Sequence, residues 1–221
     1  MASDFILRNK EIWRAFGNSL LISIICALIA GTFGILVGYG VAKKRGSRLA
    51  NYVSNLAFLP YLIPAMSFAT IYLIMSYTKT LSFLNGSLLL LIVVGSIKFL
   101  PFASKSGTNA MLQLSNEIEE AAIIVGVPWW KRMVRVLFPI QKSSFISGYL
   151  LPFVSCMREL TLFVLLTGSS TILTAVLQNY EKYDCVQISN GINLIIIVSV
   201  LVINLVVNKL TGASIDKGVG G

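Results

Sequence analysis

The chain contains no histidine, and its three cysteines, Cys26, Cys156 and Cys185, fall at spacings that fit no metal site. That leaves no basis for a Cys/His metal centre, a disulfide framework or a histidine-dependent hydrolase. No glycine–lysine pair occurs anywhere in the sequence. A P-loop, which needs that pair to cradle phosphates, is therefore excluded. Charge is scarce as well. Asp, Glu, Lys and Arg make up 12% of the residues, about half the share of an average soluble domain. Acidic residues are the rarer sign, 9 against 18 basic, for a net charge of +9.

A basic excess of this size suits nucleic acid, but here the basic residues sit between long apolar runs. They fit the positive-inside bias and anionic headgroups instead, and no nucleic-acid partner is expected. Ala15 to Ala42, Leu49 to Thr78, Thr80 to Ile97, Leu160 to Tyr180 and Gly191 to Asn208 are all free of charge. Each reaches the ~18–20 residues needed to cross a hydrocarbon core. The run after Arg14 exceeds a signal-peptide core of ~7–15 residues and reads as a retained span.

These runs predict an all-α polytopic membrane protein with five helices, roughly Gly17–Ala42, Leu49–Tyr77, Ser87–Ser106, Ser143–Thr167 and Gly191–Leu210. Lys43, Lys44, Arg45 and Arg48 crowd the first loop, and Lys105, Lys131, Arg132, Arg135 and Lys142 the segment between the third and fourth spans. With Lys209 and Lys217 near the C-terminus, this bias places both regions and the C-terminal tail in the cytoplasm, with the N-terminus outside. The expected organisation is an extracytoplasmic tail over 1–16, a transmembrane domain over 17–211 and a cytoplasmic tail over 212–221. Pro60 and Pro64 lie inside the second span, where each removes a backbone donor and predicts a kink or partial unwinding. Gly34 and Gly38 form a GxxxG spacing that would allow close helix approach.

The water-facing stretch over 115–139 stands out against this background. Asn116 is placed to cap a helix, with Glu119 as the acid of a capping box. Ile118, Ala121, Ala122 and Val125 make a thin apolar stripe, Gly126 ends the helix, and Pro128 opens a second one carrying Trp129, Trp130 and three basic residues. Lying flat on lipid headgroups suits the tryptophans and cations. Docking in a protein groove suits the alanine stripe.

The spacing Glu120-Ala121-Ala122, three residues, Gly126, nine residues, Val136-x-Phe138-Pro139 resembles the EAA signature of binding-protein-dependent ABC transporter permeases. The departures, Val for Ile and Phe for Leu, are both apolar. The resemblance implies a type I permease fold in the cell inner membrane whose cytoplasmic coupling helix docks on an ATPase subunit. Carried over to this chain, Glu120, Ala121, Ala122, Gly126 and Pro139 are the coupling positions. It further implies a solute-binding protein and a second permease subunit as partners, with lipid around them. No cofactor or metal is expected in this chain, because ATP would be held by the partner. Met157-Arg158-Glu159-Leu160-Thr161 and Thr171 to Val176 resemble the C-terminal half of ferric iron-type permeases, which implies ferric iron as cargo.

Charges within spans are the remaining candidates. Arg158 and Glu159 are expected inside the fourth helix, about 100° apart, each reaching a different neighbour as an anchor or as part of a translocation path with Pro60 and Pro64. Lys98 is expected to snorkel to the cytoplasmic interface. A reading from another class remains open: a non-transporting membrane anchor whose basic helix–turn–helix binds lipid or protein.

Overall fold

The computed structural model describes residues 6–167 and 171–213; residues 1–5 of the N-terminal tail, and Lys217 in the C-terminal one, lie outside them. Among the described residues the chain is helical throughout, with no strand. The first span is α1, Lys10–Lys43, longer than expected because Asn9 accepts the Glu11 amide and caps a turn that the charge-free run alone does not mark. The second span is two helices, α2, Arg48–Leu62, and α3, Ala65–Ser76, set at 96° to each other. Then come α4, Leu88–Leu112, α5, Asn116–Ile124, and α6, Trp129–Arg132. A π-helical turn over Met133–Leu137 leads into α7, Phe138–Ile140. Pro139 has no N–H to return to the preceding turn, and the wider turn absorbs that loss.

The fourth span, expected as one helix, is also broken. Helix α8, Lys142–Met157, and α9, Thr161–Thr167, meet at 60°. An amphipathic helix that the charge pattern did not reveal, α10, Leu173–Lys182, precedes the last span, α11, Val186–Thr211. Three helices are long and apolar enough to cross a membrane, or five spans if each bent pair counts as one.

The core is built on α1, α4 and α8. Gly34 and Gly38 do bring two backbones together: a methyl at Gly34 would lie 2.5 Å from the Ala103 Cβ, and one at Gly38 would lie 2.5 Å from the Thr108 nitrogen. The GxxxG spacing is therefore the α1–α4 contact. Ser106 donates to the Ser144 carbonyl at 2.8 Å and ties α4 to α8. Asn18 and Ser19 of α1 hold the start of α10, through the Thr171 carbonyl and the Leu173 amide. Lys43 reaches Asn116 and ties α1 to α5, while Ser143 donates to the Gly212 carbonyl and ties α8 to the end of α11. Asn9 and Tyr180 meet at the other end of the bundle.

Candidate functional site

Helix α5 is built as a capped, projecting tip. Ser115, not Asn116, is its N-cap, with its hydroxyl accepting the Glu117 amide. At the other end Gly126 adopts φ +78°, and its N–H donates to the Ile123 carbonyl while that of Val127 donates to the Ala122 carbonyl. These two bonds form a Schellman turn, which requires a residue tolerant of positive φ at the position of Gly126. A side chain added there would meet nothing within 4 Å among the described residues. Glu120 and Ala121 are exposed and Ala122 is half-buried. The apolar tip shares only Val125 with the expected stripe and adds Ile123 and Ile124, with Ile124 and Val125 85% and 80% exposed. Pro139 lies away from this tip, in the turn that returns the chain to α8.

Glu119 does not act as the acid of a capping box. It turns inward, buried, and accepts a 2.5 Å hydrogen bond from the Tyr39 hydroxyl. Lys43 lies 2.6 Å from its other oxygen and the Arg132 Nε 3.5 Å from the first. Burial alone would push this carboxyl up. Hydrogen bonds from Lys43 and Tyr39 and the charges of Lys43 and Arg132 outweigh it and hold the pKa below the ordinary carboxylate range. Arg132 also donates to the Val127 carbonyl, and Trp129 packs edge-on against Tyr39. The end of α1 is thus fastened to both sides of the turn at Gly126. Sequence reading missed this fastening, and the only signal was a run of carboxylates with one facing the wrong way for water.

The second group of candidates sits at the two broken spans. Pro64 cannot donate to the Pro60 carbonyl, and the break also leaves the Ile63 carbonyl without a helical donor. Lys98 of α4 supplies both, at 2.8 Å and 2.6 Å. It does not snorkel: its side chain is buried, with the ammonium 5.2 Å from the Phe68 ring centre. Two orphan carbonyls inside the bundle draw it inward more strongly than the distant interface draws it out. Arg158 and Glu159 likewise do not lie within a helix. Arg158 ends α8, while the Glu159 carboxylate accepts the Leu162 amide at 3.0 Å and so caps α9.

The two neighbours face different spaces. Arg158 lines a groove of about 620 Å³ with Thr174, Asn193 and Asn204. Glu159 lines a separate cavity of about 460 Å³ with Pro64, Lys98 and Ser155. Pro60 joins that second group through its carbonyl. Among the described residues, no group of three or more His, Cys, Asp or Glu could hold a metal ion.

The family model described as binding-protein-dependent transport system inner membrane component matches residues 30–215. The chain belongs to this family. It is a multi-pass inner-membrane protein of the type I ABC permease family, whose members are transport components rather than ATPases. A ferric transport system permease protein FbpB of Actinobacillus pleuropneumoniae is 22% identical over 204 residues, 90% of this chain and 29% of that protein. A probable sulfate transport system permease protein cysT of Prototheca wickerhamii is 26% identical over 87% of this chain and 80% of its own length. A phosphate transport system permease protein PstA 1 of Mycobacterium tuberculosis is 26% identical over 72% of this chain and 52% of its own. This permease spans only about a quarter of the length of the ferric relatives it matches. Among solved structures, the inward-facing MetNI methionine ABC transporter superimposes with a TM-score of 0.72 at 16% identity, over 90% of this chain and 94% of that one. A bacterial alginate ABC transporter, solved with its pentasaccharide-bound periplasmic protein, gives 0.74 at 15% identity, over 96% and 83%.

Proposed function

We propose that this permease carries a small solute inward from an extracytoplasmic binding protein, driven by a separate ATPase that grips the surface from Glu120 to Gly126. The observation that carries the reading is the α5 tip. Exposed apolar residues beside an acidic residue, ended by a glycine turn and fastened to the first span, form a projecting knob with no cover among the described residues. ATP would be bound by that partner. A second permease subunit, identical or sister, would complete the pathway within the lipid.

Ferric iron as cargo is supported by the Met157–Thr161 and Thr171–Val176 resemblance and by the ferric relatives. A specific observation favours a second reading, an oxyanion such as those named for the sulfate and phosphate relatives. The buried ammonium of Lys98 stands at the cavity between the broken spans, and a fixed cation suits an anionic cargo better than a metal ion. The test of the reading as a whole is copurification with a candidate ATPase. Gly126→Trp and Glu120→Lys are each expected to abolish the association while membrane insertion persists. Undiminished association in both variants overturns the docking assignment.

A further inference from the structure

Two helix breaks face each other across the cavity of about 460 Å³, and its walls carry groups of opposite character. On one side stands Lys98, which has three N–H donors. Two are spent on the Pro60 and Ile63 carbonyls, leaving one. Tyr61 and Ser155 add hydroxyls to the same cavity, and neither hydroxyl bonds to another described residue. Glu159 lines the same cavity, with one oxygen occupied by the Leu162 amide. No ion pair within 4.0 Å joins Lys98 to Glu159 among the described residues; the ion pairs of Glu119 lie elsewhere. The cavity therefore presents a cationic donor and two hydroxyls against a carboxylate, which only accepts when ionised.

We propose that this cavity is a transit subsite for a protonated tetrahedral oxyanion with the chemistry of inorganic phosphate. Phosphate carries at least one proton at neutral pH. Its bare oxygens can accept from Lys98, Tyr61 and Ser155 while its P–OH donates to Glu159. Sulfate at the same pH has no proton to offer, so Glu159 repels it. A ferric ion meets the ammonium of Lys98 and a single carboxylate, too few oxygens to replace its hydration. The carboxylate opposite Lys98 also keeps binding shallow, as passage requires a site that releases what it takes. The inference rests on the importer reading and adds the cargo's chemistry to it.

The test is uptake by this permease reconstituted in vesicles with its ATPase and binding protein, using radiolabelled inorganic phosphate, sulfate and ferric iron in parallel. ATP-dependent phosphate uptake is expected. Lys98→Met should lower it by roughly tenfold, the value of one charge-assisted hydrogen bond, and Lys98→Arg should restore part of it. Glu159→Gln, which gains a donor amide, should bring sulfate uptake towards that of phosphate. Because Lys98→Met also uncovers two carbonyls, Tyr61→Phe and Ser155→Ala provide arms that leave the break capped, and each should slow phosphate uptake severalfold. Wild-type phosphate uptake in both of these variants overturns the subsite, as does an unchanged phosphate preference over sulfate in Glu159→Gln. A complex that copurifies with its ATPase but imports only iron or sulfate also overturns the subsite and leaves the importer reading standing. Failure to copurify with an ATPase contradicts the importer reading itself.

Discussion

Glu119 and Lys98 are both buried charges, and the permease treats them in opposite ways. Glu119, at the end of the bundle, has two cations and a hydroxyl around one carboxylate. Lys98 lies about 15 Å along α4 from Leu88 and has carbonyl dipoles but no ion pair among the described residues. The first arrangement pairs the charge with two cations and ties α1 to α5. The second caps a bent span yet keeps charge available at a cavity. The chain thus pairs one buried charge with opposite charges and holds the other with carbonyl dipoles alone.

Glu119→Ala attacks the ion-paired joint and should have the largest effect, about 3 kcal/mol, since it strands Lys43 and Arg132 against each other. Thermal unfolding in detergent would show it, together with weakened ATPase copurification. Lys98→Met attacks the other arrangement and should cost about 2 kcal/mol, the penalty of leaving the break carbonyls without donors. Pro64→Ala sharpens that reading, because it supplies an N–H with which the helix can close onto the Pro60 carbonyl once Ile63 leaves its extended conformation. In a double-mutant cycle, Lys98→Met should then cost about 1 kcal/mol less than in the native background. Lys43→Met leaves Arg132 and Tyr39 on Glu119, so its effect should stay below about 1 kcal/mol. The smallest effect near neutral pH is that of pH itself. The Glu119 pKa is depressed on folding, so its contribution is complete above the unfolded value of ~4.3 and is lost only as pH falls below it. Hydrogen exchange at Ala121 and Ala122 should be flat from pH 7 to ~5 after correction for intrinsic rates, and a rise within that range would break the assignment.

The contrast between these two charges also marks what the sequence could reveal. Long charge-free runs foretell the spans, because lipid admits little else, and the Glu120–Pro139 spacing foretells the family. Glu119 and Glu120 are neighbours of one type, and only the fold decides which turns inward, through Tyr39 and Lys43 some 80 residues away in the chain. The break at Pro64 was legible from the missing N–H. The break at Arg158–Leu160 was not, because no proline marks it there and Glu159 serves as a cap only once α9 has turned away. Lys98 read as a snorkelling lysine because orphan carbonyls on another helix leave no trace in the local sequence. Three of the four candidate path residues of the sequence were gathered: Pro60, Pro64 and Glu159 converge on Lys98, while Arg158 faces the other groove.

The central claim is that the projecting tip from Glu120 to Gly126 is where an ATPase docks. Its affinity for the reconstituted permease tests this most directly, measured for the wild type, Gly126→Trp and Glu120→Lys after membrane insertion of each is verified. A loss of at least about a hundredfold, near 2.7 kcal/mol, is expected in both variants. Affinity equal to the wild type in both would contradict the account.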